Sequence, residues 1–156
     1  MTGIDHSTFS IERELPGSPG HAFRFWSEPA LKLAWTDCHP DWTVLEEAFD
    51  FRVGGDEVRC WRMPDGQELA FRARYFEIEP ARRIIYAFDM SFGGTRQSVS
   101  LATVELIATG AATRMVFTEQ LAFLGDADAR RRRIAGTGQG FDRLVAILEA
   151  GRAGAH

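Results

Sequence analysis

The most constraining feature of this chain is one long helical pattern near its C-terminal end. Asp126 to Ala150 reads DADARRRRIAGTGQGFDRLVAILEA. Ile134, Gly138, Phe141, Leu144, Val145 and Leu148 recur there at intervals of three, four and seven, which draws one apolar stripe along a helix of about seven turns. Asp126 offers an N-cap and Gly151 a C-terminal stop. Nearly everything before this run reads as short strands, so the stripe needs a sheet to lie against. Gly136, Gly138 and Gly140 interrupt the helix, each costing roughly 1 kcal/mol relative to alanine. Such a bare patch fits close packing on the sheet or room for a ligand beneath it.

The preceding residues supply that sheet. Thr8 to Leu15 alternates, with Phe9, Ile11 and Arg13 opposite Ser10, Glu12 and Glu14, as a half-buried strand does. Ser18-Pro19 pairs an N-cap with a proline at the first helical position, and Ala22, Phe23 and Trp26 mark a short helix. Ser27-Glu28-Pro29 repeats the signal, and Leu31, Ala34 and Trp35 share one side of a second helix. Strand patterns follow over 42–53, 56–63, 69–78, 83–90, 97–108 and 113–121. Between them stand Gly54-Gly55, Pro64-Asp65-Gly66, Pro80, Gly93-Gly94 and the turn at 109–112. Connections this short make antiparallel neighbours. The predicted class is α+β: a curled antiparallel sheet wrapped around a long C-terminal helix, with two short helices after the first strand. One domain is expected over 1–156, with its core at about 8–150.

Composition narrows the function. A hydrophobic fraction of 45% with 12 phenylalanines supports a proper core and argues against disorder. The net charge of −4 argues against a nucleic-acid partner. The basic block Arg130 to Arg133 splays around a helix axis and reads as a solvated first turn or two. The start, MTGIDHST, has no apolar signal core, and no run approaches the ~18 apolar residues of a membrane span. A soluble, cytoplasmic protein is expected, with Cys38 and Cys60 both reduced.

Five stretches, in order, carry a family resemblance: HAFRFWSEPALKLAW (21–35), DFRVGG (50–55), EIEPARRIIYAF (77–88), SVSLATVEL with TRMVFTEQ (98–120), and GQGFDRLVAIL (138–148). Together they resemble the START-like (SRPBCC) superfamily, and within it the bacterial homologues of the activator of heat-shock protein 90 ATPase. That family's last stretch usually reads Gly-Trp, whereas here it is Gly140-Phe141, which keeps an aromatic and removes an indole donor. The resemblance implies a helix-grip fold with a deep cavity between sheet and helix. Superfamily members use such cavities for lipids, hormones and polyketides, sometimes as enzymes.

Chemistry-bearing residues are few. Asp37, Cys38, His39 and Asp41 share a short loop, but so tight a loop does not readily wrap one ion, so no metal site is expected. Cys38 and His39 as a nucleophile–base pair is weaker still, since adjacent side chains rarely aim at each other. Glu119 alternates with Met115, Phe117 and Leu121, so it points inward as an acid–base candidate, or sits solvated at the rim. The resemblance suggests that Glu57 and Arg59 face the cavity as an internal ion pair near Trp61, with Glu119 joining. The alternative is an outward, exposed pair. Glu119, Glu57 and Arg59 are the catalytic candidates. Trp35, Trp61, Phe71, Tyr75, Phe88, Phe117 and Phe141, with Ser98, Ser100 and Gly138, are the expected ligand-binding set. Val99 and Leu101 then point outward, a weak signal for a homodimer surface.

No phosphate loop, dinucleotide fingerprint or catalytic triad signature is present, and no cofactor is expected. The leading expectation is a protein that binds a small hydrophobic or aromatic molecule. The alternatives are a cyclase-, aromatase- or hydrolase-like enzyme using cavity carboxylates, and a co-chaperone-like module. The eukaryotic activator has an additional N-terminal domain that this sequence lacks, so chaperone binding is doubtful.

Overall fold

The computed structural model describes residues 3–37 and 39–153. Its strands are β1 (Asp5–Pro16), β2 (Thr43–Phe49), β3 (Asp56–Arg62), β4 (Glu68–Glu79), β5 (Arg83–Phe92), β6 (Thr95–Thr109) and β7 (Ala112–Phe123). Helices α1 (Pro19–Ser27) and α2 (Pro29–Thr36) separate β1 from β2, and α3 (Ala127–Ala153) is the last element among the described residues. The strands form one antiparallel sheet in the order β1-β7-β6-β5-β4-β3-β2. Chain neighbours are therefore sheet neighbours except β1, which closes against β7. This is the α+β helix-grip fold.

Local chemistry places each element. Ser18 Oγ accepts the His21 amide at 3.2 Å and Pro19 opens α1. Asp126 Oδ1 accepts the Ala129 amide at 2.8 Å and so starts α3. Gly151 does not stop that helix: it lacks the positive φ a terminating glycine adopts, and α3 continues to Ala153. The 54–55 turn is tied to β4, with Gly54 N donating to Tyr75 O and Tyr75 N to Gly55 O. A Cβ at Gly55 would lie 2.1 Å from Asp50 O, so glycine is needed there. A bulge in β4 between Tyr75 and Glu77 helps to curl the sheet.

The concave face holds the core. Phe141, Leu144 and Leu148 of α3 are buried among Trp26, Tyr86, Val104, Met115 and Phe117. Arg13 of β1 straps the helix down, donating to Asp142 Oδ1 at 2.9 Å and to Gly138 O at 3.4 Å. Among the described residues no helix is long and apolar enough to cross a membrane.

Candidate functional site

Small residues make room under the helix. Successive inner positions of β6 are Ser98, Ser100 and Ala102, and Ala73 occupies the inner face of β4. Opposite them on α3, an added Cβ at Gly136 would meet nothing within 4 Å. The result is a cavity of about 620 Å³ between the sheet and helices α2 and α3. Trp26, Trp35, Trp42 and Trp61 all line it, and they are the chain's 4 tryptophans. Phe71, Phe88, Phe117 and Phe141 add to this wall, with Tyr86 among them.

Two ion pairs are set into the wall. At one end Lys32 Nζ lies 2.7 Å from Glu57 Oε1, and Tyr75 donates its hydroxyl to the same oxygen at 2.6 Å. Lys32 also donates to Tyr75 Oη at 3.0 Å. Burial pushes the Lys32 ammonium below its usual range, against the pull of Glu57. Burial, and then Glu57, push the Tyr75 hydroxyl up. At the other end Arg133 Nη2 lies 2.5 Å from Glu119 Oε2, which also accepts from Ser100 Oγ at 2.7 Å. Tyr86 feels both ends: burial pushes its hydroxyl up most, followed by Glu119 and Glu57.

Arg59 is held differently. Its Nη1 donates to Thr36 Oγ1 at 3.3 Å, and its guanidinium sits 5.1 Å from the Trp61 ring centre. Its Nη2 lies 3.7 Å from an Asp37 carboxylate oxygen and 4.0 Å from one of Glu47, both on solvent-facing side chains.

The expected residues separate into wall and backing. Glu57, Arg59 and Glu119 are buried and line the cavity, as do Trp35, Trp61, Phe71, Phe88, Phe117 and Phe141. The expected Glu57–Arg59 pair does not form. Residues two apart on a strand point in parallel, and Lys32 from α2 reaches Glu57 first. Glu119 is served by Arg133 rather than by Arg59. Tyr75 and Ser100 lie outside the lining and act behind it, bonding to Glu57 and Glu119, while Ser98 is buried outside the lining of this cavity. Gly138 faces β1 instead, with Arg13 and Ile11 beside it, and Gly136 and Gly140 line the cavity. Val99 and Leu101 are exposed on the outer sheet face.

The basic block is corrected most. Arg133 enters the interior, Arg132 reaches the cavity lining from an exposed position, and Arg131, paired with Asp128, is exposed as expected. Arg130 reaches Asp5 and Ser7. Lys32 is the other omission. Its position three residues before Trp35, on the face that helix buries, was the available signal, as was the series Arg133, Gly136, Gly140 and Leu144 on α3. The Cys38 readings lie outside the described residues; Cys60 is a free, buried thiol raised by its burial. Among the described residues no group of three or more His, Cys, Asp or Glu is placed to hold a metal ion.

The same arrangement of helices and sheet recurs in known proteins. Residues 17–149 match the family described as activator of Hsp90 ATPase homolog 1-like protein. The chain belongs to this family. That family match puts the chain in the START-like superfamily. A solved structure of an uncharacterized protein from Rhizobium leguminosarum is 42% identical, with a TM-score of 0.87 over 95% of this chain and 97% of that one. A protein from Rhizobium loti is 37% identical, with a TM-score of 0.85 over 93% and 99% of the two chains. The AHSA1 protein from Silicibacter pomeroyi, at 19% identity and a TM-score of 0.74 over 93% and 99%, shares the fold. No curated protein matches.

Proposed function

We propose that this Hsp90-activator homologue binds a small, largely apolar molecule in the cavity between its sheet and α3. The observation that carries the reading is the 620 Å³ space behind a wall of aromatic rings. Packed interiors leave few voids larger than a water molecule, whereas small-molecule sites span roughly 300–1,000 Å³. The buried polar groups support holding over acid–base turnover. Glu57 is already engaged by Lys32 and Tyr75, and Glu119 by Arg133 and Ser100. General acid–base work needs a carboxyl group within reach of substrate and free to exchange its proton.

A thermal-shift screen against apolar and aromatic compounds tests this. A ligand at 100 times its Kd adds about 2.7 kcal/mol of stability. Stabilisation by none of them, with tryptophan emission unchanged, would overturn the reading.

A co-chaperone-like role is the second reading, favoured by the family's description and by exposed Val99, Leu101 and Ile107 on the outer face of β6. Capture of purified Hsp90 by the immobilised protein, lost in Val99→Glu, would support it. No capture would remove it.

A further inference from the structure

The wall's unengaged donors say what kind of molecule the cavity holds. Among the described residues, Arg59 Nε and Nη2, Trp61 Nε1, Trp26 Nε1 and Arg133 Nε are buried side-chain atoms without a hydrogen-bond partner. All four residues line the cavity. Every one of these atoms is an N–H donor, on side chains that cannot accept. Buried polar groups are ordinarily satisfied, so a run of unmet donors calls for a ligand rich in acceptors. An ionised carboxylate accepts only. An alcohol or amide would bring donors of its own into a wall that has donors in excess.

Charge points the same way. Lys32, Arg59, Arg132, Arg133 and Arg143 line the cavity against Glu57 and Glu119 alone, in a chain whose net charge is −4. Lys32 and Arg133 are consumed by those two carboxylates at 2.7 and 2.5 Å. Arg59 is not consumed. Its side chain is 5% exposed, and the nearby Asp37 and Glu47 side chains are 64% and 39% exposed, outside the cavity lining and screened by water. Trp61 stands against the guanidinium, its ring centre 5.1 Å away, and a planar fork of donors matches a carboxylate's two oxygens.

We infer that the cavity's ligand is an aromatic monocarboxylate, its carboxylate docked on Arg59 beside Trp61 and its ring against the aromatic wall. This rests on the small-molecule reading above, and the experiment separates the two. Tryptophan fluorescence is titrated with 2-naphthylacetate and with its neutral methyl ester, and with decanoate and methyl decanoate. The acid is expected to bind about tenfold more tightly than its ester, and the naphthyl acid more tightly than decanoate. Arg59→Met is expected to abolish the preference for the acid. Arg59→Lys, which keeps the charge and loses the fork, is expected to lose most of it, and Arg131→Met, on the solvated turn, none.

Acid and ester binding equally to the unaltered protein would overturn the anion assignment and leave the small-molecule reading intact. Neither pair binding would count against that reading itself. Preference for decanoate would overturn the aromatic body, and an acid preference that survives Arg59→Met would overturn Arg59 as its seat. The acid-to-ester ratio of the unaltered protein decides the head-group class even if neither Arg59 variant folds.

Discussion

Lys32 on α2 and Glu57 on β3 meet at 2.7 Å with both residues more than nine-tenths buried, so the short helices are joined to the sheet by charge inside the fold. The pair stands against an aromatic wall, with Lys32 Nζ 5.0 Å from the Phe49 ring centre and 5.6 Å from that of Trp26. Both charges are largely withdrawn from bulk solvent, so each depends on the other.

Breaking this pair is expected to be worse than deleting it. Lys32→Met leaves Glu57 buried without its cation and should cost about 3–5 kcal/mol. Glu57→Gln should be similarly damaging, because Lys32 then has no counter-charge. The double variant Lys32→Met/Glu57→Leu should lose much less than the sum of the singles. Urea denaturation of the four proteins in a double-mutant cycle measures the coupling.

Alkaline pH should unfold the protein in one step. The chain's 2 tyrosines, Tyr75 and Tyr86, are both buried, and both hydroxyls are raised above their ordinary value of 10.0. Above pH 10 the unfolded chain releases protons that the folded chain keeps, so stability falls as pH rises. Lys32 works the other way. Its ammonium is lowered from 10.5, so its contribution improves as pH climbs toward that value and is complete there, leaving the two tyrosines to dominate beyond it. Tyrosinate absorbance should stay flat until far-UV circular dichroism collapses. Gradual tyrosinate formation in the folded protein would contradict the burial.

The four consecutive arginines should behave as unlike residues. Arg133→Met strands Glu119, which is 0% exposed, and should cost about 3–5 kcal/mol. Arg131→Ala removes a close contact with Asp128, but both side chains are solvated, so the loss should stay within about 0.5 kcal/mol. Thermal melts of the two variants distinguish them directly.

Gly136→Ala should stabilise the protein by about 0.5–1 kcal/mol, since it sits inside α3 and an added Cβ meets nothing within 4 Å. Gly136→Leu should keep that helix gain and lose ligand affinity, because its side chain fills the cavity. Melting temperature and fluorescence titration, measured together, check both effects.

The fold was legible because two periods alternate cleanly along the chain: two in the strands, three to four in α3. Alternation pointed Glu119 inward, with a solvated rim position as the alternative, but it left the two faces of β3 open, and it was the family resemblance that turned Glu57 and Arg59 toward the cavity. What pairs with them was not legible. A strand's period says which way a side chain points, whereas Lys32 and Arg133 arrive from helices distant in sequence. A lysine in ALKLAW and a run of arginines both look solvated locally. Only the burial of the opposing carboxylate draws them inward. Gly138 shows the complementary limit. A glycine on a buried stripe can face a strand, as Gly138 does, or a void, as Gly136 and Gly140 do, and two residues, about half a helical turn, separate the two.

The pairing of β1 with β7 over residues 5–16 and 112–123 has a consequence for how the chain reaches its fold. Every other strand meets a neighbour in sequence, but the first must wait for the last. Loop closure across that distance is a slow kind of contact to form, and β7 stays an open edge until it is made. On the ribosome β1 emerges well before its partner is synthesised. The sheet therefore closes late, and the interval before closure is when the chain is most exposed to pairing with another copy of itself.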